Sequence, residues 1–316
     1  MKRELVILTG PTAVGKTELS VQLAKKINGE IISADSIQVY KYMDIGSAKI
    51  TKEEMQGITH YMIDELEPTE EFNVYLFQKK CLKYMEKIYQ KEKTPIIVGG
   101  TGFYIQSVLY DIDFTETVQE NKIRERLELQ AKEKGTEFLY EQLKKVDLNS
   151  ALQIHKNNVK RVIRALEYYE QTGKKFSEHN EEQRTHESPY CFKYFVLNDK
   201  RELLYQRINQ RVEKMIKDGL EKEVRALLQM GCKLDMTSMQ GIGYKEMAEG
   251  IINQTPISET IEKIKLNTRH FAKRQLTWFR REKNVTFVDY QDFHHDKQKM
   301  LDFMVDSWNQ KKENNI

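Results

Sequence analysis

The sequence predicts an α/β fold in which helices cover both faces of a parallel sheet, interrupted by a mostly helical insertion. Three observations predict it. Short apolar segments alternate with helical patterns along most of the chain. The first apolar segment ends in a glycine-rich turn that opens a helix. Residues 115–188, by contrast, carry many charges and few strand signals.

Five apolar segments are candidate strands. The first is followed by a glycine-rich turn and the third by Gly99 and Gly100, which is typical of a strand that enters a turn. Apolar strands that alternate with helices indicate a parallel sheet that is covered on both faces. The candidates are Leu5–Thr9, Glu30–Ala34, Pro95–Val98, Tyr194–Leu197 and Val285–Val288.

Helical periodicity marks the segments between the strands. Lys16–Asn28 repeats apolar residues at helical spacing, and Gly29 provides a stop. Pro256 marks the start of a helix that could run to about Arg281. The other predictions are helices at Leu203–Met230, Ile123–Lys134, Thr136–Lys145 and Asn157–Gln171, and a polar loop at Glu178–Ser188.

This order of elements predicts two domains, which also fits the length of 316 residues. The core domain is discontinuous and comprises residues 1–114 and 189–316. The insertion domain comprises residues 115–188.

Composition excludes several classes of protein. With 39% hydrophobic and 31% charged residues, the chain is not collagenous, mostly disordered or a coiled coil alone. No apolar run reaches the ~18 residues of a membrane span, and the first residues lack a secretory signal pattern. Cys81, Cys191 and Cys232 lie far apart and match no zinc spacing. We therefore expect a cytoplasmic protein with reduced thiols and no membrane partner.

The net charge of +3 conceals an asymmetry between the two halves of the chain. Residues 1–150 contain 21 Lys and Arg against 24 Asp and Glu, whereas residues 151–316 contain 30 against 24. The second half is therefore basic, and a polyanion is expected to bind mostly there.

A phosphate-binding loop follows the first strand. Its sequence fits G-x-x-x-x-G-K-[ST], and it lies between a strand and a helix as in P-loop NTPase-like folds. Glycines let backbone N–H groups surround an anion, and the helix adds its positive N-terminal end. Lys16 is expected to reach the terminal phosphates, and the Thr17 hydroxyl to bind Mg²⁺. The loop comprises Gly10, Pro11, Thr12, Ala13, Val14, Gly15, Lys16 and Thr17.

The loop does not specify its ligand. The guanine-reading motif N-K-x-D is absent, and Asp199 and Asp289 are only weak candidates for the Walker B carboxylate. Arg207 and Arg211 lie one helical turn apart and could clamp a phosphate opposite the loop, or could form ion pairs along their helix.

Polar residues follow the second and third strands, whose carboxyl ends lie near the phosphates in such folds. Asp35 is a candidate general base, because a carboxylate beside bound phosphates has a disfavoured charge. A helix cap or an outer contact to Mg²⁺ is the alternative. Gln38 offers an amide to a nucleobase edge or is an ordinary surface residue. Thr101 lies among glycines that either admit a ligand or form a tight turn.

Two basic stretches are candidate nucleic-acid surfaces. Lys263–Arg281 contains seven Lys or Arg and no Asp or Glu, with Phe271 and Trp278 interleaved. His155–Arg164 contains four Lys or Arg on an amphipathic pattern. Such stripes match a nucleic-acid backbone, and aromatic rings stack on splayed bases. An ordinary solvated helix face is the alternative.

Taken together, these motifs resemble the bacterial tRNA dimethylallyltransferases, also called tRNA isopentenyltransferases. The similar segments span nearly the whole chain, and several are signatures of that family rather than of P-loops in general. They are GPTAVGKT (Gly10–Thr17), SADSIQVY (Ser33–Tyr40), GGTGFY (Gly99–Tyr104), KRVIRALE (Lys160–Glu167), RINQRVEKMIKDGLEKEV (Arg207–Val224), QGIGYKE (Gln240–Glu246) and AKRQLTWFR (Ala272–Arg280).

The resemblance implies transfer of a dimethylallyl group from dimethylallyl diphosphate to N6 of an adenosine in tRNA. That adenosine lies immediately 3′ of the anticodon in tRNAs that read codons beginning with U. Diphosphate is released, with Mg²⁺ as cofactor, and the P-loop would hold the donor diphosphate rather than ATP. The implied partners are the donor and the tRNA anticodon arm, which the insertion would also contact; a monomer is expected.

The resemblance also implies roles for individual residues. Asp35 would take the proton from N6, and Thr101 would position reacting groups near the diphosphate. The P-loop residues and Arg211 would hold the diphosphate, with Arg207 the less suitable clamp, and Thr17 would bind the metal. The residues implied in tRNA contact are Asp35, Ser36, Ile37, Gln38, Lys160, Arg161, Arg164, Gly243, Tyr244, Lys245, Arg269, Lys273, Arg274 and Gln275.

Two other functions remain open from the residues alone. A P-loop kinase for a small molecule or nucleotide would turn over ATP without RNA. A non-enzymatic RNA-binding protein that uses a nucleotide as a switch would keep its function when Asp35 is replaced.

Overall fold

One six-stranded parallel sheet forms the centre of the fold in the computed structural model, which describes residues 2–114 and 121–313. The strands are β1 (Arg3–Thr9), β2 (Gly29–Ala34), β3 (His60–Tyr61), β4 (Thr94–Gly99), β5 (Tyr190–Asn198) and β6 (Val285–Asp289). Their order is β3-β2-β4-β1-β5-β6, and every neighbouring pair is parallel. Helices flank this sheet, so the predicted α/β fold class is confirmed.

The inner strands are the apolar segments of the sequence. β1 lies between β4 and β5, with Val6 opposite Ile96 on one side and Lys193 on the other. Leu5 and Leu8 are completely buried because both faces of this strand are covered. The five predicted strands lie within observed strands. β3 was not predicted, since a strand of two residues shows no periodic pattern.

Fourteen helices occur in the described part of the chain, and none of them is long and apolar enough to cross a membrane. They are α1 (Lys16–Lys26), α2 (Lys52–Met55), α3 (Val74–Tyr89), α4 (Gly102–Leu109), α5 (Asn121–Lys134), α6 (Thr136–Val146), α7 (Leu148–Gln153), α8 (Val159–Thr172), α9 (Phe176–Thr185), α10 (Arg201–Asp218), α11 (Leu220–Gln229), α12 (Tyr244–Ile252), α13 (Ile257–Phe279) and α14 (Lys297–Glu313).

Two predictions about helices were wrong. The helix predicted at Leu203–Met230 is two helices, α10 and α11, separated by Gly219 with a left-handed φ of 104°. The loop predicted at Glu178–Ser188 is helical up to Thr185, where α9 ends. Its polar composition concealed the helix, because a helix without a continuous apolar stripe gives no periodic signal.

The chain divides into two compact units, Met1–Val108 with Pro189–Ile316, and Leu109–Ser188. The first unit contains the sheet. The second is helical and has its own core, in which Leu139 and Leu143 of α6 pack with Val162 and Leu166 of α8. The sequence predicted limits of 115 and 188 for this second unit.

The segment after the last strand supports the P-loop helix. Residues 290–316 carry no motif in the sequence, yet α14 packs against α1 and β5. Its apolar side chains, Met300, Leu301, Met304 and Trp308, are buried. The helix α1, which begins at the P-loop, is thus supported by packing against α14.

Candidate active site

The P-loop lies at the carboxyl end of β1 and leads into α1. Lys16 Nζ folds back onto the loop and donates to the carbonyl oxygens of Gly10 and Pro11, at 2.9 Å each. Gly15 has a φ of 95°, and a Cβ there would lie 2.7 Å from the hydroxyl of Tyr290, so the loop packs closely against that buried ring. The lysine is therefore held where a P-loop binds phosphate oxygens.

Three charges act on one another at this loop. The pKa of Lys16 is lowered to about 7, mainly by burial and also by the Arg211 cation, while the Asp35 carboxylate acts in the opposite direction. Burial likewise lowers the pKa of Arg211, again against the effect of Asp35. The two cations thus repel each other, the Asp35 carboxylate offsets part of that repulsion, and an anionic ligand would relieve it further.

Asp35 follows β2, and its two carboxylate oxygens differ in their hydrogen bonds. Oδ1 accepts the backbone N–H groups of Ile37, at 2.9 Å, and Gln38, at 3.3 Å, which fixes the turn after the strand. Oδ2 has no hydrogen-bond partner among the described residues. The side chain is half-buried. One oxygen therefore anchors the carboxylate, and the other is free to accept a proton.

Thr101 follows β4 and immediately precedes α4. Its N–H donates to the carbonyl of Ala34 at 3.3 Å. This bond joins the turn after β4 to the residue before Asp35. The Thr101 side chain is half-buried, and its hydroxyl makes no hydrogen bond within ranges 2–114 and 121–313. Thr101 and Asp35 thus follow adjacent strands at the same edge of the sheet as the P-loop.

The Gln38 amide is held at both ends. Its Oε1 accepts from the Ser33 hydroxyl at 3.1 Å, and its Nε2 donates to the carbonyls of Ser47 and Ala48 at 3.3 and 3.4 Å. The loop that contains these carbonyls therefore orients the side chain predicted to contact a base.

The structure separates the two arginines that the sequence left as alternative phosphate clamps. Arg211 donates to the Ser47 carbonyl at 3.4 Å, and its positive charge contributes to the lowered pKa of Lys16. Arg207 forms an ion pair with Asp199, whose side chain is completely buried. The weak Walker B candidate Asp199 thus holds Arg207, and we expect Arg211 rather than Arg207 to serve as the phosphate clamp.

Two side chains predicted to contact tRNA, those of Gln275 and Tyr244, are buried. Gln275 is 6% exposed, and its amide bonds to Thr12 and Gly100 of the two ligand loops. Tyr244 is 0% exposed, and its hydroxyl is bonded within the protein. In this structure both side chains are therefore engaged within the protein, and their contact with tRNA stays a prediction. Both are held by residues far away in the sequence.

The long basic helix α13 presents only part of its charge to solvent. Lys263 pairs with Glu249 at 2.8 Å, and Lys265 pairs with two carboxylates. Lys273 and Arg274 are exposed, and neither has a carboxylate partner in the part of the chain that the structure describes. The free positive charge therefore lies in the second half of the helix.

The remaining predicted RNA contacts differ in exposure. Arg269 is half-buried and donates to an asparagine oxygen on α10, and Gly243 is buried at the start of α12. Ser36, Ile37 and Lys245 are half-buried. Within the helical unit, Lys160 and Arg161 are exposed on α8, whereas Arg164 pairs with Glu167 at 3.0 Å.

Sequence reasoning assigned no role to Tyr290 or Glu223. Tyr290, which packs against the P-loop, lies two residues after the predicted strand Val285–Val288 and carried no other signal. Glu223 accepts three backbone N–H groups that lie 177 to 179 residues earlier in the chain. No local pattern could reveal it, although it lies inside one of the segments that carry the family resemblance.

These features define a P-loop-like α/β protein in which the glycine-rich loop and a carboxylate lie at the same edge of the sheet. The family model described as IPP transferase matches residues 38–282. The chain therefore belongs to the IPP transferase family, which confirms the resemblance drawn from its motifs.

Close relatives and solved structures agree with this family. The tRNA dimethylallyltransferase of Lachnoclostridium phytofermentans is 56% identical over 92% of this chain and 93% of its own. That of Clostridioides difficile is 50% identical over 97% and 99%. The tRNA isopentenylpyrophosphate transferase of Bacillus halodurans is 40% identical, with a TM-score of 0.74 over 99% of both chains. A eukaryotic dimethylallyltransferase acting on tRNA is 32% identical, with a TM-score of 0.79 over 91% of this chain and 74% of its own.

Proposed function

We propose that this protein transfers a dimethylallyl group from dimethylallyl diphosphate to N6 of an adenosine in tRNA, with release of diphosphate. The observation that carries the proposal is that Asp35, with Oδ2 not hydrogen-bonded to any described residue, follows β2 at the same edge of the sheet where the P-loop follows β1. The relatives named tRNA dimethylallyltransferase support it.

The two halves of the site suit the two halves of this reaction. Breaking the bond between the allyl carbon and the diphosphate oxygen leaves negative charge on the diphosphate. Lys16, Arg211 and the backbone N–H groups of the P-loop would stabilise that charge. The allyl carbon then bonds to N6. The proton that N6 loses goes to Oδ2 of Asp35, the carboxylate oxygen that accepts no hydrogen bond from the described residues. The Thr101 hydroxyl would position the reacting groups.

Mg²⁺ is the cofactor in this proposal. The described residues contain no group of three or more His, Cys, Asp or Glu side chains able to hold a metal. The exposed hydroxyl of Thr17 at the start of α1 is a suitable oxygen ligand. Mg²⁺ is commonly held by few protein groups together with phosphate oxygens and water. A site that offers the Thr17 hydroxyl beside a bound diphosphate is therefore suitable for Mg²⁺. When bound, it would neutralise charge on the departing diphosphate.

Exposed cations in each unit are proposed tRNA contacts. Lys273 and Arg274 of α13, and Lys160 and Arg161 of α8, would contact phosphates of the anticodon arm. The target is the adenosine 3′ of the anticodon in tRNAs that read codons beginning with U, and it must leave its stack to reach the site. A monomer acting in the cytoplasm completes the proposal.

The proposed function is tested by incubating the protein with labelled dimethylallyl diphosphate, Mg²⁺ and unmodified tRNA. Label is expected in tRNA, and not in a matched tRNA in which guanosine replaces the adenosine 3′ of the anticodon. ATP turnover without label in tRNA would support the kinase alternative instead. tRNA binding with neither activity would support the RNA-binding alternative.

A further inference from the structure

Residues 44–48, between β2 and α2, form a loop that is held by a carboxylate from α11. Three consecutive backbone N–H groups of this loop donate to Glu223. Its Oε2 accepts from Asp44 at 3.0 Å and Ile45 at 2.9 Å, and its Oε1 accepts from Gly46 at 3.1 Å. Successive N–H groups that point to one place form a binding site for an anion, which here is a side chain of the same protein.

Tyr244 completes this anchor. Its hydroxyl donates to Glu223 Oε1 at 2.7 Å and accepts the N–H of Ser47 at 3.2 Å, so a fourth consecutive amide is bonded. A Cβ on Gly46 would lie 2.6 Å from the tyrosine ring, so the ring packs directly on the loop backbone. Burial raises the pKa of Tyr244, as does the Glu223 carboxylate, so the hydroxyl stays protonated and continues to donate.

The same loop holds two side chains of the candidate active site. The carbonyl of Ser47 accepts from Gln38 Nε2 at 3.3 Å and from Arg211 Nη2 at 3.4 Å. The N–H and the carbonyl of Ser47 therefore point to different partners: the N–H to the Tyr244 anchor, and the carbonyl to the site. The anchor is the firmer side of this connection, because its bonds are 2.7 to 3.2 Å long and four of them go to a carboxylate, whereas the two bonds on the site side are 3.3 and 3.4 Å long.

We infer that Glu223 is a positioning residue for the reaction proposed above, and that it acts through residues 44–48. By fixing the Ser47 carbonyl it sets the placement of Gln38, on the adenosine side, together with Arg211, on the diphosphate side. The inference rests on the proposed function. It predicts that one carboxylate outside the reacting groups governs the use of both substrates.

Glu223→Gln is the main test. The amide has nearly the same shape, but it loses the charge and turns N–H donors toward backbone N–H groups. Because charge-assisted hydrogen bonds are lost, we expect kcat/KM to fall about 10- to 100-fold for the donor and for tRNA. Glu221→Gln on the same helix is the matched control, since the side chain of Glu221 bonds to the exposed Arg225 and to no other described residue. Its kcat/KM should stay within about twofold of the wild type.

Double variants separate positioning from general stabilisation. If Glu223 acts through Arg211, then Glu223→Gln should have little further effect on the donor KM in an Arg211→Ala background. In a Gln38→Ala background, the same should hold for the tRNA KM. Losses that simply multiply in both backgrounds would overturn the inference, because they would show that Glu223 does not act through these residues.

Thermal unfolding of each variant shows whether it is folded. If Glu223→Gln does not fold, Tyr244→Phe serves in the same cycles, because it removes the hydroxyl contacts and keeps the ring. A transfer rate equal to that of Glu221→Gln would overturn the inference for whichever variant is used. A wild-type protein with no transfer to tRNA would instead overturn the proposed function.

Discussion

Gln275 and Thr12 are joined by a hydrogen bond that connects helix α13 to the P-loop. Gln275 Oε1 accepts the Thr12 N–H at 2.8 Å, and its Nε2 donates to the Gly100 carbonyl at 2.9 Å. The amide therefore bridges the P-loop and the turn after β4, which contains Thr101. The exposed Lys273 and Arg274 precede it on the same helix, so a displacement of α13 would be transmitted to both loops.

Gln275→Glu tests this bridge. The carboxylate can still accept from Thr12, but when ionised it cannot donate to the Gly100 carbonyl. We expect kcat/KM to fall about tenfold near pH 8. When the carboxyl is protonated it can donate again, so the ratio of variant to wild-type activity should rise as the pH is lowered. Gln275→Ala is the control and should show no such rise. A pH-independent ratio for Gln275→Glu would contradict a role for the donated hydrogen bond.

The pKa of Lys16 predicts how donor binding depends on pH. In the free protein this pKa is about 7, so a large part of the lysine is neutral above that pH. A bound diphosphate favours the charged form and raises the pKa, so binding should take up a proton. Calorimetry near pH 8 in buffers of different ionisation enthalpy should measure an uptake approaching one proton. Lys16→Arg, charged throughout, should take up almost none, and an equal uptake by both proteins would exclude Lys16 as its source.

Replacing the candidate base should affect chemistry rather than RNA binding. Asp35→Asn keeps an oxygen that can accept from Ile37 and Gln38, but the amide cannot take a proton. We expect the single-turnover rate to fall about 100- to 10,000-fold, with the tRNA Kd nearly unchanged. Thr101→Ala should also lower the rate and leave tRNA binding intact. Weakened tRNA binding in either variant would argue that the residue holds RNA rather than acting in the transfer.

The fold and the P-loop were predictable because their signals are local. An apolar run, a glycine-rich turn and a helical repeat lie next to one another in the first 30 residues. The break between α10 and α11 was less visible, because apolar residues continue the helical spacing on both sides of Gly219. Only its left-handed backbone, seen in the structure, ends the first helix.

The site could be predicted only in part, because chemically similar residues differ in their distant partners. Arg207 and Arg211 have the same side chain on the same helix, yet Arg207 pairs with the buried Asp199 whereas Arg211 donates to the Ser47 carbonyl. Tyr244 and Gln275 lie in segments that carry the resemblance, yet both are buried by contacts with residues 197 and 263 positions away. Such pairings depend on the assembled fold.

The free charge of α13 predicts which substitutions weaken tRNA binding. Lys273→Glu and Arg274→Glu reverse exposed charges that have no carboxylate partner among the described residues. Each cation that neutralises a phosphate contributes about 0.7 to 0.9 to the slope of log K against log salt. The double variant should therefore bind tRNA more weakly at low salt, and the magnitude of its slope should fall by about one to two.

Lys263→Glu is the matched control on the same helix, because Lys263 is already paired with Glu249. Its salt slope should stay close to that of the wild type, which fluorescence anisotropy of labelled tRNA over a salt series can measure. An unchanged slope in the double variant would remove Lys273 and Arg274 from the interface. An equal loss of slope in the control would show that the effect follows the overall charge of the protein rather than this part of α13.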